Sequence, residues 1–118
     1  MQIQSQRPHR IYMTPQVVQM VADALEKPVD SRTIYNLSRH GKILERAWIN
    51  NGVFDAFHVD KALRKMRRWK LATRLGRISP RYEGLEPEME VECSQCDAFA
   101  VKWEDKWLCE NGHTGSLS

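Results

Sequence analysis

The chain has 118 residues, 42% of them hydrophobic, and a formal charge of +3. That is the composition of a folded chain rather than a disordered one, with length for one ordinary domain or a small domain plus an accessory module. No apolar run approaches a membrane span and residues 1–10 lack the apolar core of a signal peptide, so no membrane partner is expected and the expected location is cytoplasmic, nucleoid-associated if the source is bacterial. Three cysteines suit that reducing setting, because an odd count makes a poor disulfide framework and a reasonable metal set.

The small net charge hides a division. Residues 1–82 hold 16 Lys+Arg against 6 Asp+Glu, a net +10, whereas residues 83–118 hold 2 against 9, a net −7. Such asymmetry predicts two modules with different partners.

In chain order, Thr14-Pro15 predicts a helix start, and Val17, Val18, Val21, Ala24 and Leu25 give it an apolar face. Lys27-Pro28 ends it. A second helix is predicted from Asp30 or Ser31 to Gly41, with Ile34 and Leu37 inward and Ile43 continuing the apolar contact. The stretch 46–59 is strand-like on both sides of Asn51-Gly52, a strong hairpin signal. Asp60 is then expected to cap a third helix, from Lys61 to about Leu75, with Ala62, Leu63, Met66 and Trp69 inward. Trp48, Phe54, Phe57 and Trp69 are expected in the core. Residues 78–90, with two prolines, a glycine and the charge reversal, read as a linker.

Thr14-Pro15, then Ser31-Arg-Thr-Ile-Tyr35, then Gly41-Lys-Ile43 leading into the hairpin and Asp60-Lys-Ala-Leu63 after it, give residues 11–70 a resemblance to a known family. This stretch resembles the winged helix-turn-helix domain of MerR-type regulators, phage excisionases and related small phage proteins. The turn 26–30 is longer than is usual there, and the long dimerisation helix of MerR-type proteins is replaced by a different module. The resemblance implies a second helix in the major groove of double-stranded DNA and a wing along the backbone or minor groove.

The residues support the same face. Arg32, Thr33, Asn36 and Arg39 are candidates for base readout, since Arg pairs with guanine and Asn with adenine through two hydrogen bonds. Tyr35, His40, Lys42, Asn50, Asn51, Arg64, Lys65, Arg67, Arg68 and Lys70 are candidates for the DNA backbone, with Arg74, Arg77 and Arg81 extending the basic row. RNA is less favoured, because no aromatic-rich sheet motif for stacking bases appears.

The acidic piece holds Cys93-Ser-Gln-Cys96 and, after a twelve-residue spacer, Cys109-Glu-Asn-Gly-His113. Two close pairs separated by a hairpin-length spacer predict one structural Zn2+ held by Cys93, Cys96, Cys109 and His113. The spacer fits, with Phe99, Val101 and Trp103 alternating, Glu104-Asp105 turning and Trp107 leading back. A redox pair at Cys93/Cys96 is the rival, but that motif belongs at a helix start beside a sheet. His9, His40 and His58 read as ordinary histidines rather than ligands. The module resembles a zinc ribbon, and its acidity argues for a protein partner or self-association over phosphate. The opposite charges also raise the prospect that it folds back on the basic domain and competes with DNA.

The fold class read from sequence is therefore α+β: a winged helix-turn-helix over 1–77, a linker over 78–90 and a zinc ribbon with three cysteines and one histidine over 91–118. The leading function is a small sequence-specific double-stranded DNA-binding protein, a transcriptional regulator or recombination-directionality factor. The alternative is a protein-interaction adaptor whose winged helix binds protein. No phosphate-cradling glycine loop, open metal site or placed carboxylate pair marks an enzyme.

Overall fold

The computed structural model describes residues 10–77, 82 and 85–117. It is a mixed α+β chain of three helices and two antiparallel sheets, divided into two compact units, Met1–Leu63 and Arg64–Ser118. Arg81 and His9 fall outside the described residues, as does much of the stretch read as a linker.

The first unit runs β1 (Ile11–Met13), α1 (Thr14–Leu25), α2 (Ser31–Leu37), β2 (Trp48–Asn50), β3 (Val53–Asp55) and the start of α3 (Ala56–Arg74). Its sheet has the order β1-β3-β2, with Tyr12 opposite Phe54 and Trp48 opposite Phe54. Thr14 is the first residue of α1 rather than its cap; Gln16 reaches back to accept the Met13 N–H at 2.8 Å. Val17, Val21 and Leu25 are the buried stripe of α1, and Ile34 anchors α2. Asp30 caps α2, accepting from the Thr33 N–H at 2.9 Å and the Thr33 hydroxyl at 3.0 Å. These bonds hold its carboxyl below the ordinary range, the backbone N–H contributing most.

Three expectations need correction. The helix α2 ends at Leu37, so Arg39 and His40 lie beyond it, in the turn before Leu44. The helix α3 starts at Ala56, five residues before its predicted start, because Asp55 rather than Asp60 caps it by accepting the His58 N–H at 3.0 Å. Asp60 instead takes the hydroxyl of buried Tyr12 at 3.1 Å. Phe54 is buried, but Trp48 and Phe57, expected in the core, are 46% and 65% exposed.

The second unit combines the rest of α3 with a meander β4 (Glu90–Glu92), β5 (Phe99–Trp103), β6 (Lys106–Cys109) and β7 (Thr114–Ser116), paired in that order. The inner strand β5 buries an apolar residue on each face, Ala100 and Val101. Val101 packs in a cluster with Leu71 and Ala72 of α3 and with Leu85, whereas Ala100 packs with Cys93 and Cys109. Leu85 and the 3-10 turn Pro87–Met89, within the stretch read as a linker, are therefore part of this unit's packing. The meander does not stand on the group of three cysteines and one histidine alone, because α3 supplies it with a second small core.

Polar pairing joins the same elements. Arg64 donates from Nε and Nη2 to Glu90 Oε1 at 2.8 and 2.6 Å. Arg68, only 7% exposed, donates to the other Glu90 oxygen and to the Leu85 carbonyl at 3.2 Å. Burial opposes ionisation of Glu90, but the two guanidiniums outweigh it and hold its carboxyl below the ordinary range. Glu90→Ala leaves the Arg68 cation buried without its counter-charge, and unfolding in urea should show a loss of about 3 kcal/mol. Because the folded carboxyl is depressed, its contribution is present above the ordinary carboxylate range and is lost as pH falls through the lowered value. Glu90→Gln should therefore flatten the acid limb of the stability–pH curve.

The side chain of Trp107 lies across Gly115, where an added Cβ would come within 2.6 Å of the indole nitrogen. Gly115→Ala should cost about 1–3 kcal/mol in the same unfolding experiment, and an unchanged midpoint would contradict this packing.

Candidate metal centre and nucleic-acid interface

Cys93 and Cys96 sit on the turn between β4 and β5, and Cys109 ends β6. The Cys109–His113 turn is closed by Cys109 N–H to the His113 carbonyl at 2.9 Å and Gly112 N–H to the Cys109 carbonyl at 3.0 Å. Gly112 takes φ +92°, where a side chain would be strained. The two turns bring all four ligand atoms within 4.8 Å of one another.

His113 Nδ1 lies 3.5, 3.3 and 3.5 Å from the sulfurs of Cys93, Cys96 and Cys109, and Cys96 Sγ lies 3.8 Å from Cys109 Sγ. All three cysteines are free. A tetrahedral ion with sulfur bonds of about 2.3 Å and a nitrogen bond of about 2.0–2.1 Å has edges of about 3.8 Å between sulfurs and about 3.5 Å from sulfur to nitrogen. The donor set fits such an ion.

The surroundings favour the thiolate at Cys96. The Ala98 N–H, first among several donors, brings the Cys96 thiol down to about 6, and Asn111 Nδ2 donates to the same sulfur at 3.5 Å. Burial pushes the Cys93 thiol up, partly offset by the Gln95 N–H at 3.4 Å. The Cys93–Cys96 turn joins two strands and not a strand to a helix, unlike the setting of the rival redox motif.

The residues considered for nucleic acid fall into distinct places. Arg32, Tyr35 and Asn36 lie on the outward face of α2 and are exposed, Tyr35 at 60%. Just past the helix, the Arg39 guanidinium stacks over the Tyr35 ring, 5.6 Å from its centroid. Thr33 is half-buried and its hydroxyl is given to the Asp30 cap. His40 projects into solvent with Nδ1 4.0 Å from Glu45, and Lys42 is half-buried. Asn50 and Asn51 are exposed at the hairpin tip, which Gly52 turns at φ +77° and the Thr14 N–H holds through the Gly52 carbonyl at 3.2 Å.

The α3 arginines are engaged within the second unit. Arg67 pairs with Glu110 through two bonds, 3.0 and 2.7 Å, while Arg64 and Arg68 share Glu90. Lys65 and Lys70 are half-buried. The opposite charges of the two stretches hinted at pairing but not at these glutamate partners, which lie 22 to 43 residues from the arginines. Asn111 was also missed, although its place between Cys109 and His113 is a usable signal.

No helix among the described residues is long and apolar enough to cross a membrane. No family model, curated protein or solved structure matches the chain.

Cobalt added to the metal-free protein should give the visible d–d absorption of a tetrahedral thiolate site, saturating at one equivalent. Cys109→Ser should abolish that spectrum, and an octahedral spectrum in the parent protein would contradict the geometry.

Proposed function

We propose that the first unit binds double-stranded DNA as a winged helix-turn-helix. In this reading α2 lies in the major groove and the β2–β3 tip meets the backbone. The observation that carries it is the outer face of α2. Ile34 fixes the helix inward, while Arg32, Tyr35 and Asn36 are presented to solvent and Arg39 is pre-oriented on the Tyr35 ring. A large aromatic ring exposed among hydrogen-bonding side chains has no packing role, and the same set suits base edges and phosphates. The order helix–helix–hairpin–helix supports the reading further.

In this proposal Arg32, Asn36 and Arg39 read bases, and Tyr35, His40, Lys42, Asn50 and Asn51 contact the backbone. Arg68 is left out because it is buried and paired. The ion in the second unit is one zinc. Its four protein ligands close the coordination shell, which makes the site structural, and the acidic surface around it serves a protein partner.

Ile11, Met13 and Ile49, exposed by 46–49% in the sheet of the first unit, favour a second reading in which this unit is an adaptor that docks protein. Selection of the zinc-loaded protein on random-sequence duplexes at two salt concentrations separates the two. DNA binding predicts an enriched motif and a steep salt dependence. Asn36→Ala and Arg39→Ala should each cost about 1–3 kcal/mol at particular base positions. Asn51→Ala should weaken all sequences alike. Retention of no duplex at low salt would pass the case to the adaptor.

A further inference from the structure

Glu110 follows the ligand Cys109 directly, on the turn that carries His113 to the cluster. Its N–H donates to the Phe99 carbonyl at 3.0 Å, and its carboxylate takes Arg67 in a two-bond pair. The Arg67 guanidinium in turn lies 4.4 Å from the centroid of the Phe99 ring. The carboxylate that holds Arg67 is thus positioned by the same turn that supplies two metal ligands.

The three paired arginines differ in how easily they exchange partners. Releasing Arg68 means unpacking a guanidinium buried beside Leu85, and Glu90 holds Arg64 as well. Arg67 and Glu110 sit at the rim, each side chain 36% exposed. An ion pair so placed is weak enough for a phosphate oxygen to displace the carboxylate. Phosphate and Glu110 offer the same two-point acceptor to the same fork of donors.

We propose that Glu110 is a metal-positioned occupant of a phosphate site at Arg67, so that metal loading and polyanion binding oppose one another. With the metal turn formed, Glu110 fills the guanidinium. When the ion leaves, the turn loses its two side-chain anchors, Cys109 and His113, and keeps only its backbone hydrogen bonds, so that Glu110 is held less firmly and Arg67 is more open to a nucleic-acid phosphate. The coupling is reciprocal, since whatever removes Arg67 from Glu110 also loosens the turn that binds the ion. The choice of nucleic-acid phosphate rests on the DNA-binding function proposed above; the metal side of the coupling does not.

The zinc-loaded 118-residue chain tests both sides. In competition with a chromophoric chelator, Arg67→Ala should give up zinc more readily by about two- to fivefold. Lys102→Ala, which removes an exposed cation from β5, should not. With a random-sequence duplex as probe, Glu110→Gln should bind up to about fivefold more tightly, with a salt slope steeper by about one phosphate contact. Glu104→Gln makes the same charge change on the β5–β6 turn and serves as the control, and adding Arg67→Ala to Glu110→Gln should cancel the gain. Equal zinc retention in Arg67→Ala, Lys102→Ala and the parent overturns the coupling, and so does a Glu110→Gln gain no larger than that of Glu104→Gln. If no variant binds duplex at low salt, the DNA-binding function fails, and zinc retention alone decides the coupling.

Discussion

The burial of Arg68 is the constraint around which the second unit is arranged. A guanidinium exposed by only 7% must be matched by a carboxylate and its remaining donors by other acceptors. Glu90 and the Leu85 carbonyl take its two terminal nitrogens, while Nε is buried without a hydrogen-bond partner among the described residues, and the pairing places the start of β4 against α3. Cys93 then follows three residues later, at the first turn of the ligand cluster. The strand β5 is left between two cores, with Val101 facing α3 and Ala100 facing the cysteines. A sheet of four short strands is too small to bury enough apolar surface alone; here helix packing, paired charge and four converging ligands act together.

This arrangement changes the meaning of the acidic tail. Net charge treats residues 83–118 as an outward negative surface, yet Glu90 and Glu110 are turned onto arginines of the same unit. The basic row of α3 is correspondingly less available than its composition suggests. What stays open is the outward face of α2 and the hairpin tip, where side chains of the right chemistry are exposed without packing roles.

Features set by local chemistry were legible in the sequence. The ligand set was readable because the spacing of two tight turns is itself the geometric requirement. Asp30 and Asn51-Gly52 marked a cap and a hairpin tip through their own backbone preferences, whereas Gly41 takes its left-handed φ of +69° in the turn after α2 and not at the helix end, Leu37. The start of α3 was not legible. In Phe54-Asp-Ala-Phe-His-Val59 the apolar spacing suits a strand or a helix, and it is the Asp55 cap that decides. Nor could Phe57 and Trp48 be placed, since an aromatic reads as core until its surroundings are known. The ion pairs of Arg64, Arg67 and Arg68 carry no local signal, because their partners arrive only after the meander has folded.

The central claim is that the outward face of α2 meets the phosphate and base edges of a duplex. The most direct measurement is the backbone amide spectrum of the zinc-loaded protein as a selected or random duplex is added at low salt. The account predicts shifts concentrated over residues 32–42 and at the hairpin tip, 50–52. Shifts confined to Ile11, Met13 and Ile49 on titration with a protein partner, with none anywhere on titration with duplex, would contradict it.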